Sequence, residues 1–168
     1  MHSGKEFLAS AENGVQVYFD PINSHAATHL NDTPQLKSLV IEIVENTELI
    51  GGLTEFDTEV GRIVGTSDLV KNDDGDEIIY AKRQNREVYT PFNKSKAPQP
   101  CSIVAVSLKR QADGTYELQS TWIGSIDSPT FPGDEHETPE SKPYWLSHSL
   151  VWGTQEIQPG IETTQCPW

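Results

Sequence analysis

The sequence predicts an α+β fold in which an N-terminal helical part packs on an antiparallel β meander. Three observations favour this fold class: one segment has apolar residues at helical spacing, the later apolar segments are short and strand-like, and Asp113-Gly114 is a strong hairpin signal. The 168 residues are enough to bury a core as one domain. We expect this domain to span 1–168, with a lead-in over 1–24, a surface loop over 125–143 and a polar tail over 154–168.

One helix is predicted to begin near residue 33. Asp32 or Thr33 can cap it, and Pro34 suits the first helical turn. The residues that form its apolar face recur at helical spacing and are Leu36, Leu39, Val40, Ile43 and Val44. Ile50–Gly52 is expected to end it.

The remaining ordered segments are predicted to be strands. They are Val15–Phe19, Arg62–Val70, Glu77–Arg83, Cys101–Arg110, Thr115–Gly124 and, after a helical or irregular entry, Tyr144–Gly153. The loop over 125–143 is rich in proline, serine and acidic residues, which is typical of a solvated connection.

The charge of the chain is strongly uneven. The formal net charge is -13, which argues against nonspecific binding of nucleic acids through long-range attraction. However, seven of the twelve lysines and arginines lie between Lys82 and Arg110, where Glu87 is the sole acid. This basic block predicts a local surface for an anionic ligand, although a charged strand edge can also serve only to prevent aggregation.

Several classes of protein are disfavoured. No apolar run approaches the length of about 20 residues that spans a bilayer, and the N-terminus lacks the apolar core of a signal peptide. Cys101 and Cys166 lack metal-binding spacing. We therefore expect a cytoplasmic protein without a membrane partner, a metal or another cofactor.

Three histidines are candidates for proton transfer, because imidazole titrates near neutral pH. His25 and His29 would share one face of a helix, and His148 lies between Trp145 and Trp152 on a late strand. The His25/His29 spacing also suits a zinc pair, but a third ligand is not evident. A packed histidine with satisfied ring nitrogens is the structural alternative, and we favour it for His148 taken alone.

The basic block supplies the other half of a candidate site. Arg83 and Arg86 would stabilise charge on a phosphoryl group, and Lys82, Tyr89 and Thr90 would bind the substrate. Together with the histidines, this set satisfies the needs of metal-independent RNA cleavage. A base activates the 2′-hydroxyl for attack on phosphorus, a cation stabilises the charged phosphoryl oxygens and an acid protonates the leaving 5′-oxygen.

The phrases "HAATHLNDTPQL", "EIIYAKRQNREVYTPF", "ELQSTWIG" and "WLSHSLVWG" resemble the Barnase–EndoU–Colicin–RelE nuclease group. The likeness is nearest to uncharacterised bacterial proteins and to ribonuclease A-like toxin domains of contact-dependent inhibition systems. It covers roughly 25–155 and implies a helix followed by an antiparallel sheet, and a metal-free endoribonuclease that an immunity protein or antitoxin neutralises. It places the early histidine at His25 or His29, the cation at Lys82, Arg83 or Arg86, and the late residue at His148, with Thr121 as a hydroxyl partner.

Two alternatives to a nuclease stay open. The basic block can belong to a non-catalytic domain that binds an anionic partner, either a nucleic acid or an acidic protein. The chain can also be a phage or bacterial interaction protein whose acidic surface binds a basic partner, which the loop Gly133–Glu140 favours.

Overall fold

A computed structural model describes residues 4–52 and 55–168, apart from the side chains of His25, Thr28, His29 and Asp32. The chain divides into two compact units. Unit 1 consists of Met1–Val64 and Ser102–Ile126, and unit 2 consists of Gly65–Cys101 and Asp127–Trp168. A single domain over 1–168 stays a prediction.

The described ranges contain eleven strands and three helices. In chain order these are β1 (Glu6–Ser10), β2 (Gln16–Phe19), α1 (His25–Asp32), α2 (Pro34–Glu45), β3 (Glu55–Glu59), β4 (Gly65–Ser67), β5 (Leu69–Lys71), β6 (Ile78–Lys82), β7 (Tyr89–Asn93), β8 (Gln99–Cys101), β9 (Ile103–Arg110), β10 (Tyr116–Ile123), α3 (Ser141–Ser147) and β11 (His148–Val151). The strands form three sheets, and two of the strand pairs are parallel. The prediction of an N-terminal helical part on an antiparallel meander is therefore wrong, because the chain is mostly β and begins with a hairpin.

Unit 1 is a five-stranded sheet with two helices. The strand order is β1-β2-β10-β9-β3, so the N-terminal hairpin joins the later hairpin through a parallel pair between β2 and β10. The core of this unit combines the inner sides of β1, β2, β9 and β10 with apolar side chains of both helices. Residues 1–24, predicted as a lead-in, therefore supply two strands of the sheet.

Helix α2 confirms the predicted apolar face, because Leu36, Leu39, Val40, Ile43 and Val44 are all buried. Thr33 is at the N-cap position and Pro34 begins the helix, although the Thr33 side chain makes no capping bond. The predicted end at Ile50–Gly52 is wrong, since the helix ends at Glu45. The side chains of Asn46 and Thr47 bond to the carbonyls of Glu42 and Ile43 at 2.8 and 2.6 Å, which offers the backbone an alternative to another helical turn.

The predicted hairpin around Asp113-Gly114 is confirmed by β9 and β10. Gly114 has a φ of 86°, which glycine adopts without the steric cost of a side chain. The Asp113 carboxylate accepts a hydrogen bond from the Thr115 amide at 3.0 Å and fixes the turn.

Unit 2 contains the sheet β5-β11-β7-β6 and the small sheet β4-β8. Helix α3 leads directly into β11, which confirms the expected helical or irregular entry to the last strand. Strand β6 is at the edge of its sheet, where Tyr80 pairs with Thr163 and Arg83 with Ile157 as isolated bridges. Along the described helices, no segment is both long and apolar enough to cross a membrane.

Candidate anion-binding site

The basic block is divided between the two units. Lys109 and Arg110 end β9 in unit 1, whereas its other five basic residues belong to unit 2. Among these five, the Lys96 ammonium lies 2.6 Å from the Asp73 carboxylate and 3.7 Å from that of Asp76. The hydrogen bond to Asp73 is the main cause of the raised pKa of Lys96. This cation is thus already neutralised and ties the β5–β6 turn to the segment after β7.

Arg83 follows β6 at the start of the turn to β7. Its Nε donates to Thr90 Oγ1 at 3.2 Å, and its Nη1 donates to Gln155 Oε1 at 3.3 Å. Its guanidinium carbon lies 5.0 Å from the centre of the Phe131 ring, within the range of a cation–π contact. The chain can return to β7 here because Asn85 takes a left-handed backbone conformation, with a φ of 62°.

The guanidinium of Arg83 is half-buried and, within the described residues, has no negative partner. Burial lowers the pKa of Arg83, and the neighbouring positive charge of Arg86 lowers it further. Throughout the described residues, neither arginine is within ion-pair distance of a carboxylate. Two of the five guanidinium N–H groups are used by Thr90 and Gln155, so three are available to an anion. A desolvated, uncompensated arginine beside a second arginine favours binding of a phosphate or a carboxylate.

Stacked rings extend from Arg83 to His148 through unit 2. Phe131 stacks on Trp145 with centroids 4.2 Å apart, Trp145 meets Tyr144 edge to face at 4.9 Å, and Tyr144 stacks on His148 at 4.0 Å. Trp145 is buried and its indole N–H donates to Pro129 O at 2.9 Å. Because the rings mostly cover one another, they support Arg83 and His148 rather than offering open faces to nucleobases.

His148 is held through one ring nitrogen. Its Nδ1 lies 3.0 Å from the Tyr144 carbonyl oxygen and 2.9 Å from Ser147 Oγ. A carbonyl can only accept, so we assign the proton to Nδ1 and the lone pair to Nε2. In the described part of the chain, all side-chain hydrogen bonds of His148 involve Nδ1, which leaves the lone pair of Nε2 without a donor.

The other predicted binding residues of unit 2 lie on the β6–β7 hairpin. Lys82 and Tyr89 are paired across the two strands, and the lysine ammonium lies 5.3 Å from the centre of the tyrosine ring. Thr90 is buried and holds Arg83 through its hydroxyl group. Lys82, Arg83, Tyr89 and Thr90 therefore belong to one hairpin with Arg86 in its turn, but the alternation of side chains puts the Lys82–Tyr89 pair on the opposite face from Arg83 and Thr90.

The remaining predicted site residues belong to unit 1. Thr121 is buried in β10, and its hydroxyl donates to Ala105 O at 2.7 Å, a bond internal to the sheet. His25 and His29 lie in α1, but their side chains are outside the described part of the structure. Their predicted roles stay predictions.

Sequence reasoning missed Phe131, Tyr144 and Gln155 as parts of this site. Phe131 lies in the predicted surface loop and Gln155 in the predicted tail, segments in which no regular pattern marks a contact. An aromatic residue between Thr130 and Pro132, in a loop otherwise polar, was the one available signal for Phe131.

No group of three or more potential metal ligands occurs within the described residues. Comparisons of the chain with protein-family models, with curated proteins and with solved structures give no match. The function must therefore be argued from the geometry of unit 2.

Proposed function

We propose that unit 2 binds single-stranded RNA by holding a phosphate group at Arg83, with Arg86 contributing positive charge beside it and Lys82 contributing charge from the other face of the hairpin. The observation that carries this proposal is the half-buried guanidinium of Arg83 without a carboxylate partner among the described residues. Such a cation gains more from an anionic ligand than an exposed lysine does, because it has already lost part of its hydration.

Three considerations favour RNA over an acidic protein as the ligand. The sequence phrases resemble those of RNA-cleaving domains, and His148 in the same unit has a ring nitrogen able to accept a proton. The compact hairpin also suits one or two phosphates of a single strand, whose flexible backbone can adapt to it.

The test is a titration of the protein with a fluorescently labelled ten-nucleotide oligouridylate. Arg83→Ala should weaken binding by about ten-fold or more, since a charge-assisted bidentate contact is lost. Lys142→Ala is the matched control, because Lys142 is an exposed cation of unit 2 that no described contact involves. Equal binding by wild type and Arg83→Ala would overturn the proposal. Binding of a glutamate-rich peptide in place of RNA would instead identify an acidic protein as the partner.

RNA cleavage is the second candidate function, and the orientation of His148 favours it. With Nε2 unprotonated, His148 can remove the proton of a 2′-hydroxyl, and that oxygen then bonds to the adjacent phosphorus. The bond from phosphorus to the 5′-oxygen breaks, and an acid returns a proton to that oxygen. The products are a 2′,3′-cyclic phosphate and a free 5′-hydroxyl.

This second function is tested by incubating the protein with transfer RNA in EDTA. Wild type and His136→Ala should both produce cyclic-phosphate ends, whereas His148→Ala should not. His136 is a suitable control because it is an exposed histidine of unit 2 that lies beside Glu135 in the acidic loop. Oligouridylate binding without any cleavage by wild type would restrict the function to binding.

A further inference from the structure

We propose that residues 155–168, here named the β6 strap, are a displaceable cover of the Arg83 site. The strap opens while the sheet of unit 2 stays folded, and its opening makes the Arg83 N–H group that Gln155 holds available to the RNA phosphate as well. The coupling of strap opening to RNA binding rests on the proposed function, whereas the separate opening of the strap does not.

The strap lies along the open edge of β6. The Gln84 amide donates to Glu156 O at 3.1 Å, and the Gln158 amide donates to Lys82 O at 2.8 Å. Further along, Tyr80 and Thr163 exchange two backbone bonds of 2.8 and 2.9 Å. These bonds occupy an edge that would otherwise expose unpaired donors and acceptors.

The strap also contacts the proposed phosphate site itself. The Gln155 side chain accepts a bond from Arg83 Nη1, and the Gln158 side chain donates to the carbonyls of Arg83 and Arg86 at 3.1 and 2.9 Å. Gln155 is neutral, so it satisfies one guanidinium N–H without neutralising the cation. A phosphate that replaces Gln155 would supply both the hydrogen bond and the missing negative charge.

Little burial holds the strap in place. None of its side chains is buried, and the half-buried ones are Ile157, Gln158, Ile161, Thr163 and Trp168. The Trp168 ring packs edge to face on the Tyr80 ring, with the ring centroids 5.4 Å apart. A segment with few apolar contacts and exposed backbone bonds opens at a lower free energy than the sheet to which it is attached.

The strap is negatively charged, so it can compete with an anionic ligand for the Arg83 site. It contains Glu156 and Glu162 and neither lysine nor arginine, and it lies beside Lys82, Arg83 and Arg86. This negative segment lowers the local attraction for RNA while it is closed. Displacement of the strap by RNA therefore replaces one source of negative charge with another.

The experiment compares Gln158→Ala with Gln165→Ala. The first loses both side-chain bonds to the Arg83 turn, whereas the second changes an exposed strap residue whose side chain has no described contact with β6. We measure hydrogen exchange of the Tyr80, Gln84, Gln158 and Thr163 amides, together with affinity for the labelled oligouridylate. Gln158→Ala should speed exchange at these amides by about five-fold and tighten RNA binding by a similar factor, while Gln165→Ala should resemble wild type.

The outcomes separate the two proposals. If the four amides of wild type exchange only as slowly as the Thr90 and Phe92 amides of β7, the strap does not open separately and the inference is overturned. If Gln158→Ala speeds exchange but leaves RNA affinity unchanged, opening is not coupled to the site and the inference is overturned. If neither wild type nor any variant binds the oligouridylate, but the four amides exchange faster than those of β7, the proposed function is wrong and the displaceable strap is supported.

Discussion

Arg83 differs from the other cations of the basic block in how it is held. A guanidinium can stack on Phe131, donate to Thr90 and Gln155 and still present further N–H groups, because its five donors lie in one plane. A lysine ammonium has three donors and no planar face. The site therefore depends on the shape of the arginine as well as on its charge.

Arg83→Lys tests this dependence on shape. We expect oligouridylate binding to weaken about ten-fold although the charge is kept, because the fork geometry and the ring contact are both lost. The measurement is the same titration, with Lys142→Arg as the control for the reverse exchange elsewhere in unit 2. Full affinity in Arg83→Lys would mean that charge alone determines binding.

Tyr80 gives unit 2 a predicted pH dependence. Burial raises the pKa of Tyr80 from 10.0 to about 12, and the neighbouring thiol of Cys166 contributes to the rise. Below pH 10 the phenol is neutral in both states, so its contribution to stability is complete. Between pH 10 and 12 the unfolded chain loses this proton while the folded chain keeps it, so the free energy of unfolding should fall, by on the order of 1 kcal/mol once solvent screening is allowed for.

The check is urea unfolding of wild type and Tyr80→Phe at pH 8 and pH 11. The two proteins share every ionisable group except this phenol, so the difference between them isolates Tyr80. We expect wild type to lose more stability than Tyr80→Phe over this interval. Equal losses would show that the Tyr80 phenol titrates alike in the folded and unfolded chains.

At the scale of elements, a buried polar hub joins the β5–β6 turn to β7. The side-chain amide of Asn93 donates to Asn72 Oδ1 at 3.2 Å and to Asp76 Oδ2 at 2.9 Å, and its carbonyl accepts from the Ser95 amide at 2.8 Å. The Asp73 amide and Asn93 together lower the pKa of Asp76. The buried Asn93 side chain thus bonds both to the β5–β6 turn and to the segment that follows β7.

Asn93→Ala should lower the free energy of unfolding by about 2 to 3 kcal/mol, because it removes three bonds and leaves the Ser95 amide without this acceptor. Chemical unfolding followed by circular dichroism measures the loss. Asn72→Ala removes two bonds, those that Asn72 Oδ1 accepts from Asn93 and Ser149, and should cost less than the loss of three. A loss below about 0.5 kcal/mol for Asn93→Ala would mean that water replaces the hub.

The elements predicted correctly are those with local signals. Helix α2 follows from Pro34 and a regular apolar face, and the β9–β10 hairpin follows from Asp113-Gly114. The fold class was wrong because β1 and β3 lack such signals. β3, with the sequence EFDTE, has no buried residue, so its pairing with β9 is a tertiary contact that alternation cannot predict.

At the scale of the whole molecule, the candidate site also contains residues that local sequence signals predict and residues that they do not. Lys82, Arg83, Tyr89 and Thr90 come together because two adjacent strands pair, which nearness in the sequence makes predictable. Phe131, Tyr144 and Gln155 reach this unit through long connections whose closure has no sequence pattern. The net charge of -13 likewise hides a local cationic turn, because it sums residues that the fold separates.

The salt dependence of RNA binding follows from this contrast between local and total charge. If Lys82, Arg83 and Arg86 each replace one condensed counterion, a plot of log Kobs for RNA binding against log salt concentration should have a negative slope no steeper than about -2. Each single-strand phosphate contributes about -0.7 to this slope. The acidic remainder of the chain repels RNA, and added salt screens that repulsion, so the observed slope should be shallower still. Titrations from low to physiological salt measure it, and Arg83→Ala should make it shallower by about 0.7 in magnitude. A slope near -4 would require additional phosphate contacts, and would contradict a site confined to the β6–β7 hairpin.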